Sequence, residues 1–471
     1  MPSGHPSRTA LAPSTQPFTQ LPPAAYLALF GVSVCIALFI SLFLPALGIA
    51  AKWGGTGHDG YLELAASLHA GNGFRFSADG PPVFHRPPLY PALLAPVMGF
   101  GVPVQKIYVA LLNSVFFTVA CLYTVRSVQL LYRHPAVGVV AVVLLMANPW
   151  IYRLISSPLS AVMQMSLYTA LCFHVLKLVI DCDRITALPA RTLAIHIARL
   201  SLLTSALCYS HGTSIYVCSA LLFFTLTFTI ATGRWRLTLM TTLLACLTVM
   251  ALAPWAARNE ALLGRAEPVT SGAGYTYFLG NIYWNIDNTD HHGNRDRNAV
   301  SLISGGVTEP SSDMVSHWGV VDPAVDGQMR EAMVSHIAEN PVEVLTKSLL
   351  NLGDIFFPIT HVAWCAAGGV SEYCAETMAP YQLGQRVLRS LYCALLIGFA
   401  VFSVFAGSRA AWWLPGLALC CAGLYSVPYL PIATYAHHGI YSLGALPLLS
   451  ALAAAALVSL VRRRQAVTVA L

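Results

Sequence analysis

Charge is what this sequence has least of. Only 10% of its 471 residues are Asp, Glu, Lys or Arg, whereas 56% are hydrophobic, and the mean hydropathy is +0.64. About a quarter of the residues in a soluble globular domain are charged, so the composition excludes that class. The Lys and Arg residues behind the net charge of +6 are scattered at the ends of apolar runs. Such a distribution sets orientation in a membrane and does not indicate nucleic-acid binding.

Long apolar runs are what the sequence has instead. Runs of about 18 or more apolar residues recur, and each can cross a bilayer core of about 30 Å as a helix. The sequence therefore predicts an all-α polytopic membrane protein with about ten transmembrane helices. We place them near 24–50, 107–130, 135–152, 158–180, 195–210, 213–231, 237–256, 387–406, 411–430 and 440–461.

A secretory signal is also missing from the N-terminal residues. Residues 1–23 hold six prolines and one arginine, a composition typical of a short disordered tail. The run 24–50 is too long for a signal sequence and indicates a membrane anchor. We divide the remainder into a transmembrane module to 256, an outer loop region at 257–386, and C-terminal helices with a cytoplasmic tail at 387–471.

The arginines predict the orientation, because short loops rich in Lys and Arg stay in the cytoplasm. Both termini are then cytoplasmic, and 51–106 and 257–386 face outward. The short turns and the tail that follow this rule contain Arg133, Arg184, Arg191, Arg234, Arg236, Arg409, Arg462, Arg463 and Arg464. The topology requires a break at "SHGTS", 210–214. A single helix over 199–230 would be about 48 Å long and would reverse everything after it.

The outer loop region holds two further features. Cys365 and Cys374 lie nine residues apart in it, and an oxidising compartment permits a disulfide between them, with two free thiols as the alternative. Most of the other cysteines lie within spans, where a thiol behaves as a small hydrophobe. The segment 327–358 is amphipathic, and Pro341 is expected to begin a helix that lies along the membrane surface.

The first outer loop contains the stretch "HDGYLELAASLHAGNG", 58–73. Its apolar residues have helical spacing, which places Asp59 at the start of a short helix, where aspartate is also a good N-cap. Gly71-Asn72-Gly73 predicts the end of that helix. Arg86 follows closely and precedes Pro87-Pro88, which begin a second short helix at about 88–100. A carboxylate and a cation at the two ends of one loop suggest the rim of a pocket.

A second cation, Arg258, ends the seventh predicted span in "APWAARN", 253–259. An arginine beside Trp255 at an interface is often a membrane anchor. Its fork of donors also suits bidentate binding of a phosphate.

These segments resemble the GT-C membrane glycosyltransferases, the superfamily that contains the protein O-mannosyltransferases and the lipid A aminoarabinose transferase (glycosyltransferase family 39-like). Four features in the expected order carry the resemblance and cover both ends of the chain. They are Asp59 followed by Tyr61, Ala65, Leu68, Gly71 and Gly73; "RPPLYPALLAP", 86–96; "APWAARN", 253–259; and "YAHHGIYSLGALPLL", 435–449.

The resemblance implies an enzyme whose site faces away from the cytoplasm and which takes a sugar from a polyprenyl-phosphate donor. The expected acceptor is a cell-envelope glycan or glycolipid, such as a polysaccharide, with a protein as the second choice. Asp59 matches the general base, and Arg86 and Arg258 match the residues that bind the lipid phosphate. The expected location is a bacterial inner membrane, with the active site on the periplasmic side.

Two departures from the family pattern affect details. Position 85 is His, where members such as the aminoarabinose transferase carry Glu, and 148–166 lacks the second acid that many members have there. The resemblance establishes no cofactor, and a divalent metal ion is left open. His58 and His85 can act as metal ligands or proton relays, or are simply hydrogen-bonded interfacial histidines. Tyr61, His437 and His438 are supporting candidates near the site.

Other interpretations stay open at this point. The segment 285–298, with Asp287, Asp290, His291 and His292, lacks the spacing of a calcium loop and suggests a solvated loop. A transporter or flippase of lipids or lipid-linked glycans would need ionisable residues near the bilayer centre, and only Lys177 and Arg199 approach that position. A non-catalytic assembly subunit is the third interpretation, favoured if Asp59 proves dispensable.

Overall fold

A computed structural model describes residues 22–43, 60–132, 135–283, 295–304, 315–316, 319–320, 322–357, 380–406, 413–431 and 442–470. Nearly all of this is helical. The N-terminal half contains α1 Pro23–Leu38, α2 Tyr61–His69, α3 Leu89–Leu94, α4 Val102–Tyr132, α5 Pro135–Met146, α6 Pro149–Ile155, α7 Ala161–Ile180, α8 Cys182–Thr186, α9 Ala190–Ser210 and α10 Ser214–Ala231.

The C-terminal half continues with the same architecture. Its helices are α11 Trp235–Leu263, α12 Ala273–Tyr277, α13 Arg295–Ile303, α14 Pro323–Glu339, α15 Pro341–Phe356, α16 Pro380–Ala406, α17 Trp413–Leu424 and α18 Leu446–Ala470. The strands β1 Val315–Ser316 and β2 Gly319–Val320 form one small antiparallel hairpin. Short π-helical turns follow α1 at Phe39–Phe43 and α12 at Phe278–Tyr283, and 3₁₀ turns lie at Ala95–Val97, Val427–Tyr429 and Leu443–Ala445.

The helices confirm an all-α membrane protein that crosses the bilayer several times. Six helices are long and apolar enough to span: α4, α7, α9, α10, α11 and the Arg386–Phe405 part of α16. Three shorter apolar helices lie at Pro23–Leu38, Ala136–Met146 and Leu446–Val461. Each of the ten predicted spans contains a described helix, while the number that actually cross stays a prediction.

The predicted break at 210–214 is confirmed. Helix α9 ends at Ser210, His211 is extended with φ −162° and ψ 135°, and α10 begins at Ser214. A Cβ added at Gly212 would overlap the Oγ1 atom of Thr270. The turn therefore packs directly on the segment that follows α11, and only glycine permits that approach.

Two of the turns predicted to be cytoplasmic lie side by side. Arg234 Nη2 is 2.9 Å from Asp183 Oδ1, and Arg236 Nη1 donates to the Thr186 carbonyl at 2.8 Å. Because α7 and α10 end at the same side of the bundle, this contact agrees with the predicted alternation of spans. The ion pair is exposed, and such pairs add about 0–1 kcal/mol to stability.

Helix α18 lies inside the bundle, packed against α4, α5, α16 and α17. Its residues 451–456 are buried on every side, and five of these six are alanine. Small side chains let neighbouring helix backbones approach closely, which is how helices pack in a membrane. The sequence "ALAAAA" thus makes α18 the central element rather than a peripheral span.

The structure corrects one local detail of the first outer loop. The helix expected over 88–100 is shorter, since α3 ends at Leu94 and a 3₁₀ turn ends at Val97. The N-cap of α2 is Gly60, with a φ of 76°, a conformation that favours glycine. A helix that begins at Tyr61 agrees with the expectation that Asp59 lies at or before its start.

We expect Ala453→Leu to destabilise the protein by about 1–3 kcal/mol, because extra methylenes in a packed core force side chains and backbone to shift. Ala453 is fully buried in α18. Unfolding in detergent micelles would measure the effect. The matched control is Ala251→Leu, an exposed position on α11. Equal stability of the two variants would contradict the central placement of α18.

Candidate functional site

The first outer loop is held against the outer end of α11. Arg258 Nη2 donates to the Val83 carbonyl at 2.9 Å, and the Ser271 backbone N–H donates to the Phe84 carbonyl at 3.1 Å. The rings of Phe74 and Trp255 meet edge to face with centroids 5.2 Å apart. The loop that carries Arg86 is therefore fixed to the segment that carries Arg258, although 175 residues separate Arg258 from Val83.

Side chains of the "PWAARN" motif, 254–259, hydrogen-bond to backbone carbonyl groups of two other segments. Trp255 Nε1 and Asn259 Nδ2 both donate to the Val269 carbonyl, at 2.7 and 2.9 Å. Arg258 Nη1 donates to Asn259 Oδ1 at 2.9 Å. The motif thereby holds the turn that follows α11 on one side and the first loop on the other.

Arg258 also lies over aromatic rings. Its guanidinium carbon is 4.4 Å from the ring centroid of Trp255 and 5.6 Å from that of Phe74. Cation–π contacts of this kind contribute about 0.5–2 kcal/mol and fix the plane of the guanidinium. The two hydrogen bonds to Val83 and Asn259 use two of its five N–H donors. Arg258 is thus a half-buried, oriented cation at the junction of the two outer segments.

Arg86 lies half-buried three residues after Val83, so its Cα is within about 11 Å of the Val83 Cα. Its neighbour His85 is buried, with its ring 5.6 Å from the ring of Phe76 and its Cβ 3.5 Å from a Cβ placed at Gly272. The two cations are therefore on one connected part of the outer face. That both guanidinium groups bind one phosphate stays a prediction.

Arg75, the other arginine of the first loop, has a structural role. Its Nη1 donates to the Gly80 carbonyl at 2.7 Å, and the Val83 N–H donates to the Phe74 carbonyl at 2.9 Å. These two bonds close residues 74–83 into a compact loop. The closed loop presents the Val83 carbonyl to Arg258.

Tyr61 joins the first loop to the transmembrane helices. Its hydroxyl is 3.2 Å from Ser160 Oγ, which accepts from Gln164 Nε2 at 2.9 Å. Gln164 Oε1 in turn accepts from the Tyr425 hydroxyl at 2.9 Å. We call Tyr61, Ser160, Gln164 and Tyr425 the polar chain. It runs from the start of α2, through the start of α7, to the end of α17, and all four residues are buried.

The polar chain continues toward the outer turn between α9 and α10. The rings of Tyr425 and Tyr429 are 5.9 Å apart, and the Tyr429 hydroxyl is 3.3 Å from His211 Nδ1. His211 Nδ1 lies 2.8 Å from Thr213 Oγ1. The outer ends of several spans thus share one hydrogen-bonded region. Sequence reasoning named Tyr61 as a supporting candidate but missed Gln164, Tyr425 and Tyr429, and the one available signal was a glutamine inside an otherwise apolar span.

A second tyrosine anchors the first loop. The Tyr90 hydroxyl donates to Asn113 Oδ1 at 3.1 Å, while Asn113 Nδ2 donates to the Ser157 carbonyl at 2.9 Å. Burial raises the pKa of Tyr90, so the phenol stays neutral and keeps its donor. Since the rings of Tyr61 and Tyr90 are 5.5 Å apart, α2 and α3 sit on the bundle as one unit.

A charged cluster lies further out, between the segment after α11 and α14. Arg265 contacts Asp326 and Ser271, and Arg265 Nε is 3.2 Å from Glu267 Oε1, which also contacts Arg330. Asp326 is 1% exposed. Arg265, Arg330, Glu331 and Ser335 line an open cleft of about 550 Å³ beside this cluster. Sequence reasoning missed it, because its contacts join residues up to 63 positions apart.

Several candidate residues lie outside the described residues. They are His58, Asp59, Cys365, Cys374, His437 and His438, together with 284–294, which holds Asp287, Asp290, His291 and His292. Their expected roles stay predictions. Within the part of the chain that the structure describes, no three His, Cys, Asp or Glu residues come together as a metal site.

No protein-family model matches the sequence, and a comparison with curated proteins finds no match. Solved structures do resemble the fold. The archaeal oligosaccharyltransferase AglB from Archaeoglobus fulgidus, in complex with an inhibitory peptide and a dolichol-phosphate, matches 95% of this chain at 12% identity, with a TM-score of 0.51. The chain has the GT-C fold. This confirms the fold expected from the sequence resemblance.

Two further structures complete the comparison. The Archaeoglobus fulgidus oligosaccharyltransferase with zinc and sulfate matches 92% of this chain at 10% identity, with a TM-score of 0.50. ArnT from Cupriavidus metallidurans, bound to undecaprenyl phosphate, matches 93% of this chain and 78% of its own at 14% identity, with a TM-score of 0.36. The chain spans about half the length of the archaeal enzyme, 52% and 49% in the two structures.

The polar chain predicts a specific pattern in a double-mutant cycle. Gln164→Leu removes the bonds that Gln164 makes to the buried Tyr425 hydroxyl and to Ser160 Oγ, which costs about 1–3 kcal/mol. Tyr425→Phe added to it should cost less than the sum of the two single changes, because both ends of the Gln164–Tyr425 bond are then gone. Unfolding in detergent micelles measures all three variants. Tyr216→Phe, at a tyrosine that is 59% exposed, is the control. Additivity within about 0.3 kcal/mol would contradict the coupling.

Proposed function

We propose that this protein is a glycosyltransferase that moves a sugar from a polyprenyl-phosphate donor to an acceptor at the outer face of the membrane. The favoured acceptor is a cell-envelope glycan or glycolipid, and a protein is the second choice. One observation carries the proposal: in a chain with the GT-C fold, Arg258 fixes the first outer loop, the loop of Asp59 and Arg86, to the end of α11. The proposed location is a bacterial inner membrane, with the site facing the periplasm.

The chemistry assigns each residue a role. The acceptor hydroxyl attacks the anomeric carbon, its proton passes to the carboxylate of Asp59, and the bond between that carbon and the phosphate oxygen breaks. The lipid phosphate leaves as an anion. Arg86 and Arg258 would stabilise that anion, since fixed cations at a developing negative charge lower the barrier. Asp59 must be ionised and within about 3 Å of the acceptor proton.

The position of Arg258 supports a cation of fixed geometry. It is held by Val83, Asn259 and two aromatic rings, so it would meet the donor without reorganising. Preorganised donors of this kind cost nothing at the moment of reaction. The same contacts mean that Arg258 also positions the first loop, so its loss should affect more than one kinetic constant.

The lipid-linked donor is the part of the proposal that draws on the comparison. AglB was solved with a dolichol-phosphate, which is a polyprenyl-type phosphate. The match to AglB covers 95% of this chain. A site at the outer face also lacks access to cytoplasmic nucleotide sugars. A divalent metal ion stays an open expectation, because His58 and Asp59, two residues that could bind it, lie outside the described residues.

Asp59→Asn should reduce transfer by about 10²–10⁴, because asparagine cannot accept a proton at neutral pH, while binding of the donor persists. The N-cap of α2 is Gly60, so the helix should survive the change. Mass spectrometry of envelope glycolipids and glycans, from cells lacking the gene and complemented with each variant, measures transfer. Asp79→Asn, an exposed acid in the same loop, is the matched control. A folded Asp59→Asn protein with near-normal transfer would move the assignment to His58 or Glu63.

Arg86→Ala and Arg258→Ala should weaken donor binding as well as transfer, since the proposed phosphate contacts exist before and during the reaction. Native mass spectrometry with a polyprenyl phosphate as the probe measures binding directly. Arg191→Ala is the control, because Arg191 is exposed and lies at the start of α9, beside a turn predicted to be cytoplasmic. Donor binding that is unchanged in both arginine variants would refute the phosphate assignment.

A further inference from the structure

We propose that helix α15 lies flat in the outer leaflet of the membrane, with one face in contact with lipid acyl chains. We call this the lipid face, and it consists of Val342, Leu345, Leu349 and Leu352. The inference concerns how the large outer loop meets the bilayer, and it holds whatever reaction the protein performs.

The lipid face is apolar and uncovered. Val342 is 76% exposed, Leu345 62%, Leu349 61% and Leu352 41%. Residues at this spacing share one side of a helix, and no charged residue interrupts them. Soluble surfaces rarely expose a contiguous row of large apolar side chains unless something covers it.

The opposite side of α15 is fixed to the transmembrane bundle. Asn351 Nδ2 donates to the Leu430 carbonyl at 2.7 Å, and Arg389 Nη2 donates to the Ile355 carbonyl at 3.0 Å. Ile355 itself is fully buried. Because Leu430 and Arg389 lie at the outer ends of the ninth and eighth predicted spans, these bonds hold α15 at the level of the membrane boundary.

The geometry indicates a helix in the plane of the membrane rather than across it. Sixteen residues make a helix of about 24 Å, shorter than the bilayer core of about 30 Å. Glu343 and Lys347 lie on the other faces of the helix, where they can reach water or protein. A short helix with one apolar face and charged flanks is the type that lies in a lipid interface.

Lipid is the occupant that fits the adjoining surface. Helix α16 is a candidate span, and its outward residues Leu388, Leu391 and Leu395 are 56%, 58% and 62% exposed. In a membrane these side chains face acyl chains. The lipid face extends the same kind of surface, since α15 contacts α16 and is bonded to it through Arg389.

Photocrosslinking in native membranes tests the proposal. Benzoylphenylalanine is placed at Leu345 or Leu349, at Lys347 as the protein-facing control, and at Leu391 of α16 as the lipid-facing reference. Mass spectrometry should find phospholipid adducts at positions 345, 349 and 391, with adducts at 347 at least about fivefold weaker. A crosslinked dimer or a crosslinked partner protein at positions 345 and 349 would overturn the proposal. So would the absence of lipid adducts at these two positions while position 391 gives them.

A second measurement uses the unaltered protein and so does not depend on how the variants fold. A lipid-soluble diazirine is activated in nanodiscs that contain the full chain, and labelled residues are mapped by peptide sequencing. Label at Leu345 and Leu349 in the same range as at Leu391 supports the proposal. Label confined to the spanning helices would refute it.

Discussion

The arrangement of the outer face depends on one hydrogen bond between a charged side chain and a distant backbone carbonyl. Arg258 lies in the last turns of α11, and its bond to Val83 fixes the first loop to the seventh predicted span. Nothing local in either segment requires this contact. The guanidinium of Arg258 also lies over the rings of Trp255 and Phe74, and a hydrogen bond to a charged group is worth about 1.5–3 kcal/mol. The position of Val83 in the first outer loop therefore depends on a residue 175 positions further along the chain.

The same principle explains why polar residues gather at the outer end of the bundle. A buried hydroxyl or amide costs free energy unless it has a partner, so Ser160, Gln164 and Tyr425 are tolerated inside apolar helices only as a connected set. Tyr61 brings the first loop into that set. Ser160, Gln164 and Tyr425 thus join the ends of α7 and α17, and the same residues hold α2 in place through Tyr61.

Features that depend on local sequence could be predicted, and features that depend on tertiary contacts could not. Long apolar runs predicted ten segments that each contain a described helix, and "SHGTS" and Pro341 predicted two helix boundaries, because each acts through neighbouring residues. The bond between Gln164 and Tyr425 joins residues 261 apart, and the contact of Arg265 with Asp326 joins residues 61 apart. The phosphate-binding role of Arg258 stays a prediction, and its contact with the Val83 carbonyl has no sequence signature.

Because α18 is central in the bundle but last in the chain, its helix neighbours are synthesised before they can pack against it. The helices that it packs against, α4 and α5, leave the ribosome roughly 300 residues earlier, which at about 5–20 residues per second is on the order of 15–60 s. During that time the surface of Val128, Val137 and Ala141, which α18 finally covers, must be occupied by lipid or by an insertion factor. An alanine-rich helix can pack late, because its small side chains fit between neighbouring helices that are already in place. Membrane insertion of this chain is therefore completed only when its alanine-rich helix displaces whatever first occupied that groove.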